Sequence, residues 1–170
     1  MAKEKDKKGR VTGRGLAKAL GIPQATFFQW QDRFFKGPSL AGAGVEVFSP
    51  DTKSIALMFV VKQLRGFWKV PLTGVEEILL QLQEAFNSER EGKKIGLVVA
   101  QVRQPGGKAL TYANVVLDTP DSLTRLSASL TQAGIPHKIY DISETVRQIE
   151  EEGGLVGVRK VVDEGLKEIG

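Results

Sequence analysis

The chain has 170 residues, 41% of them apolar and 26% charged, the proportions of a soluble globular protein with room for one ordinary domain or two small ones. With no cysteine and the single histidine His137, it excludes disulfides, thiolate metal centres, iron–sulfur clusters, cysteine nucleophiles and His-rich metal sites. The densest apolar run, Ile55–Val61, is seven residues long, far short of the ~20 a membrane span needs.

The N-terminal MAKEKDKKGR is charged without an apolar segment behind it, so it does not read as a secretory signal, and the expected location is cytoplasmic. Charge is unevenly spread. Residues 1–69 hold 13 Lys and Arg against 5 Asp and Glu, a net of +8, while residues 70–170 hold 11 against 15, a net of −4. A basic front of this kind suits a polyanion. It also suits a solubilising tail, because four of the thirteen positive charges fall in the first eight residues.

Residues 1–10 read as a basic, flexible arm. Thr12 is placed to cap a helix over 13–20, with Leu16, Ala17 and Leu20 inward and Gly21 ending it. Pro23 fits the first turn of a second helix, 23–35, whose inward set is Ile22, Thr26, Phe27, Trp30 and Phe34. A glycine-rich loop, KGPSLAGAG, leads to a short β-like run, Val45–Phe48. Ser49-Pro50-Asp51 then opens a third helix that is apolar on nearly every side through Leu64 and stops at Gly66. Trp68 is expected between this helix and the next. Thr73 and Glu76 fit a capping box for a fourth helix, with Ile78, Leu79, Leu82 and Phe86 as its buried stripe.

The polar stretch NSEREGKK, 87–94, reads as a linker, and the periodicity then changes from helix to strand. IGLVVAQVRQ and ALTYANVVLD flank the glycine turn PGGK as a β-hairpin. Thr119-Pro120-Asp121 caps a helix ending at Gly134, and HKIYDI is a third strand. Ser143-Glu144 opens another helix, which Gly153-Gly154 breaks, and a last amphipathic helix covers about 157–168. The expected fold is α+β: a helical N-terminal domain over 11–86, the linker, and a small ββαβαα domain over 95–170.

The order helix, tight turn, helix, glycine-bearing hairpin, helix, short turn, helix resembles the MerR-type winged-helix DNA-binding domain over residues 11–86. The matching positions are Leu16-Ala17, Leu20-Gly21-Ile22, Thr26-Phe27, Trp30, Pro38, Phe48-Ser49-Pro50-Asp51 and Leu64-Arg65-Gly66-Phe67. The resemblance implies that the second helix enters the major groove. Gln24, Ala25, Thr26 and Gln29 would then reach base edges, glutamine pairing with adenine and the Ala and Thr methyls touching thymine. Arg10, Thr12, Arg14, Lys18, Arg33, Lys36 and Lys53 would meet the backbone and fix position without choosing sequence. Two positions depart from the family pattern: Phe28 stands where an arginine is usual, and Glu46 where the wing usually carries a basic residue. Phe28 reads as core, as a self-association surface or as a wedge against sugar.

The family's long coiled coil is missing after Phe86, so a homodimer would form through residues 95–170, which also read as the seat of a protein partner or a small effector. No metal or cofactor is expected. Gln104–Lys108 lacks the spacing of a phosphate loop and reads as a hairpin turn. His137, near Lys138 and Asp141, has no evident nucleophile and reads as a strand-edge residue, and Glu150–Glu152 as a solvated helix end. The function expected is a non-enzymatic, nucleoid-associated protein that binds double-stranded DNA, in transcription control or in plasmid or mobile-element maintenance. The alternative is a protein–protein adaptor that keeps the fold without reading DNA.

Overall fold

The computed structural model describes residues 13–35 and 52–169, and within them the chain is mixed α+β. Seven helices and three strands occur among these residues: α1 (Gly13–Leu20), α2 (Gln24–Phe34), α3 (Thr52–Gly66), α4 (Leu72–Asn87), β1 (Lys94–Arg103), β2 (Ala109–Asp118), α5 (Pro120–Gln132), β3 (His137–Asp141), α6 (Ile142–Glu152) and α7 (Gly154–Glu164). None of these helices is long and apolar enough to cross a membrane. The expected helix start at Ser49–Asp51 and the β-like run Val45–Phe48 lie outside the described residues.

The chain divides into two compact units. One unit comprises residues 1–63 and 145–165, the other 64–144 and 166–170. The physical reason is partnership. In the first unit α1 packs against α7, although nearly the whole chain separates them; in the second, α4 packs on β1 and β2. Residues 88–93 are therefore a connection inside the second unit, and Lys94 already belongs to β1.

The longest unbroken buried run of the first unit lies on α3. Ile55, Ala56, Leu57, Met58, Phe59, Val60 and Val61 are all buried in succession, so this helix presents apolar side chains in every direction, as its sequence predicts. α1 contributes Leu16, Ala17 and Leu20, and α7 contributes Val158 and Val161. Gly153, with φ of 68°, separates α6 from α7, which starts and ends earlier than the periodicity suggests because Gly165, with φ of 78°, terminates it. Glu150, Glu151 and Glu152 are exposed, Glu151 pairing with Arg147 and Glu152 with Lys160.

The second unit is a three-stranded antiparallel sheet in the order β2-β1-β3. The hairpin register runs without a break from Lys94↔Asp118 to Arg103↔Ala109, and the turn closes through Gln104 N–H to Lys108 O, 2.8 Å. Gly106 and Gly107 supply the positive φ that this turn requires. Side chains alternate between the two faces. Ile95, Leu97 and Val99 are fully buried on the face that α4 covers, with Val75, Ile78, Leu79, Leu82 and Phe86 as that helix's buried stripe. On the other face Gly96 admits α5, since a Cβ there would lie 3.2 Å from Leu123 Cδ2. Thr119 caps α5 as expected, accepting from Ser122 N–H at 3.3 Å.

Two local expectations change. α4 begins at Leu72 with Pro71 as its cap, because proline's extended backbone starts the helix two residues earlier than Thr73 suggests. Trp68 points its indole N–H at the sheet, donating to the Tyr140 hydroxyl at 3.0 Å in a buried contact. Burial pushes the Tyr140 phenol above its ordinary range, opposed by the bond from Trp68.

Asp141 ends β3 and starts α6 at once. Oδ2 accepts from Lys94 Nζ at 2.8 Å, and Oδ1 accepts from Glu144 N–H at 2.9 Å as a helix cap. Asp141→Asn keeps the cap and loses the ion pair, whereas Asp141→Ala loses both. In urea unfolding Asp141→Ala should cost about 1–3 kcal/mol and Asp141→Asn clearly less. Equal losses would show that the cap contributes nothing.

Candidate nucleic-acid interface

The turn between α1 and α2 is built by three backbone devices. Gly21 adopts φ of 67°, its N–H bonds Lys18 O at 3.1 Å, and Ile22 N–H bonds Ala17 O at 2.9 Å. This is the paired closure of a Schellman motif, and glycine is the residue that reaches its left-handed backbone without strain. The Nζ of Lys62, on α3, donates to Leu20 O, so a cation holds one of the carbonyls that the end of α1 leaves open. Pro23 then serves as the cap of α2, with φ of −54° and ψ of 137°, one position before the helix in which the sequence places it.

On α2 the buried residues are Phe27 and Gln31, continued by Ile22 and Phe35 at its ends. Thr26, Trp30 and Phe34 are only half-buried, so the inward face is rotated from the expected set. The opposite face carries Ala25, Gln29 and Asp32, all exposed, with Gln24 and Phe28 on one flank and Arg33 on the other. Arg33 also sits 5.9 Å from the centroid of the Phe34 ring. On α1, Arg14 and Lys18 lie one turn apart on the outer surface, and Lys53 is exposed in the first turn of α3.

Of the residues that the sequence nominates, Gln24, Ala25 and Gln29 are exposed on α2, Ala25 and Gln29 one turn apart on its outward face and Gln24 on the flank, while Thr26 is half-buried. Arg10, Thr12 and Lys36 lie outside the described residues, as does Glu46.

Phe28 is not core. Its side chain is 42% exposed, with one edge against Gly13, where any Cβ would stand 3.1 Å from Cε1. It meets Phe27 edge to face, with ring centroids 5.6 Å apart. Gly13 therefore lets an aromatic ring lie across the first turn of α1.

Three features escape a reading of the sequence alone. Asp32 falls at the C-terminal end of the outward row of α2, visible only once the inward face is known to be Phe27 and Gln31. Lys62 sits in an apolar helix that gives no hint of a distant carbonyl. Ser127 stands beside His137, whose Nδ1 donates to Ile135 O at 2.8 Å, leaving Nε2 to accept from the Ser127 hydroxyl at 3.1 Å. The neighbouring hydroxyls of Thr124 and Thr131 are committed to helix carbonyls, Pro120 O and Ser127 O.

Compared with known protein families, characterised proteins and solved structures, the chain matches none.

Lys62 provides a test of the turn. Lys62→Met keeps the length of the stem and removes the donor. It should destabilise the protein by about 1–2 kcal/mol, as for the loss of a charge-assisted bond to a helix end, in thermal or urea unfolding. Stability equal to that of the parent would show that Leu20 O is satisfied as well by water.

Proposed function

We propose that the chain is a DNA-binding protein that reads the major groove through α2, with a MerR-like arrangement of α1, turn and α2 as the reader. The observation that carries this reading is that Gln24 and Ala25 in the first turn of α2, and Gln29 one turn after Ala25, are all exposed on the helix that follows a tight glycine turn. Residues in the first turn of such a helix are those that reach base edges, and exposed glutamine and alanine offer an adenine and a thymine contact. Arg14, Lys18, Arg33 and Lys53 supply exposed positive charge in the same unit. Asp32, further along the helix, accepts from a cytosine amino group if it lies in the groove and is repelled if it meets phosphate. A dimer through the second half of the chain would present two such helices to a two-fold site. Transcription control and mobile-element maintenance are the biological settings that this activity fits.

The exposed Phe28 favours a second reading, in which the same surface of α2 docks a protein. The two separate in one experiment on the full chain, a salt-titrated binding measurement on random and selected duplexes. Gln24→Ala removes hydrogen-bonding groups without changing charge, and should cost ~1–3 kcal/mol on the preferred site and little on random DNA. Lys18→Ala should lower both affinities together and flatten the salt slope by about one unit. Negligible effects from both substitutions, in protein that remains folded, would leave the adaptor reading standing.

A further inference from the structure

The sheet has two outer edges, and the chain treats them differently. Along β3 the residues after α7 cover the edge: Asp141 N–H donates to Lys167 O at 2.7 Å, Ile169 N–H donates to Ile139 O at 2.8 Å, and Tyr140 bridges Glu168. Along β2 the protection is partial. Val115 N–H, directed away from β1, donates to Gln81 Oε1 on α4 at 3.2 Å. In an antiparallel ladder, successive residues alternate between facing the partner strand and facing away. The outward set of β2 is therefore Ala109, Thr111, Ala113 and Val115, and the first three pair with nothing among the described residues.

That open half-edge lacks the usual defences. Ala109–Ala113 contains no proline and no charge, and its register against β1 shows no bulge. Beside it lie exposed apolar side chains. Tyr112 is 55% exposed and Leu110 38%, and Val102, paired with Leu110 on the neighbouring strand, is 37% exposed. All three project from one face of the sheet, the face on which α5 covers Gly96.

We propose that Ala109–Ala113 pairs antiparallel with the same segment of a second copy of this chain, about a two-fold axis at Thr111. This assignment deepens the dimer of the preceding reading and rests on it. A second copy fits because the segment is self-complementary about that residue. The outward groups of Ala109 meet those of Ala113 in the other copy, and Thr111 meets its own counterpart. Leu110 falls opposite Tyr112 in the non-hydrogen-bonded pairs, where cross-strand side chains approach closest. The paired stretch is uncharged, and the flanking Lys108 falls opposite Asn114, so no like charges are brought face to face. The two Val102 side chains extend the cluster to six apolar residues. Gln81 sets the limit by occupying the next outward amide. An interface of this size falls below about 1,200 Å² in total, the range of transient associations, so a reversible monomer–dimer equilibrium follows instead of an obligate dimer.

Sedimentation of the full chain across the micromolar range provides the test. Thr111→Pro removes an outward amide and leaves the bonds between β1 and β2 in place, as proline is tolerated where an edge N–H faces solvent. Tyr112→Lys leaves the backbone intact and places a charge in the apolar cluster. Each should weaken dimerisation at least ~10-fold while preserving the circular dichroism of the parent. If Thr111→Pro fails to fold, Tyr112→Lys carries the result alone. A dimer that survives the substitutions would overturn this edge and leave the wider dimer reading intact. A full chain that is monomeric throughout would overturn both, and neither result alters the expectation for Gln24→Ala on DNA.

Discussion

A strand with neighbours on both edges and helices on both faces keeps little surface for water, and from Ile95 to Ala100 β1 is such a strand. Its residues meet that constraint by type. Ile95, Leu97 and Val99 fill the space beneath α4, and on the other side Gly96 gives up its side chain so that Leu123 of α5 can come down to the backbone. The rest of the sheet unit follows. The hairpin must place β2 on one side, and the chain must return after α5 to place β3 on the other. Burying β1 fully contributes on the order of 25 cal/mol for each Å² of apolar surface removed from water, which offsets the cost of ordering the longer connections. Asp141 then shows how little room for error this leaves, because a single carboxylate serves both Lys94 and the first turn of α6.

The helical unit has a different logic. Its centre, Ile55–Val61, is apolar all round and needs neighbours on every side. α1 is short, at eight residues, and would be marginal by itself. It is held at its C-terminal end by the Gly21 closure and by the Lys62 ammonium. What that rigid corner presents is the exposed row of α2. The amphipathic division of α2, Phe27 and Gln31 inward and Ala25, Gln29 and Asp32 outward, is what makes a surface of these residues at all.

Much of this was legible in the sequence wherever the signal is local. The hairpin around Pro105–Lys108, the Thr119 cap, the glycine end of α1 and the all-apolar helix each depend on residues within a few positions of one another, and each was read with its type and approximate bounds. The failures share a cause. Pro71 overrode the Thr73 capping pattern by one elementary restriction on its own backbone. A polar stretch such as 87–94 looks the same whether it joins two domains or two packed elements of one. Whether α4 lies on helices or on a sheet is decided by partners distant in sequence, and its own stripe of Ile78, Leu79 and Leu82 serves either. For the candidate interface, the resemblance nominates Gln24, Ala25 and Gln29, and all three are exposed. Asp32 and the exposure of Phe28 depend on a rotation of the helix by a fraction of a turn, which apolar periodicity over eleven residues does not define.

The pairing of α1 with α7 also governs the order in which this protein can be made. A ribosome adds roughly 5–20 residues per second, and compact units commonly fold as they emerge. Here α1 finds its packing partner among residues 154–164, after every strand of the sheet has been synthesised. The sheet unit has nearly all of its residues in hand by then, whereas the helical unit still waits for the helix on which α1 packs. A chain cut short before residue 154 would therefore hold every strand and still leave α1 without that partner.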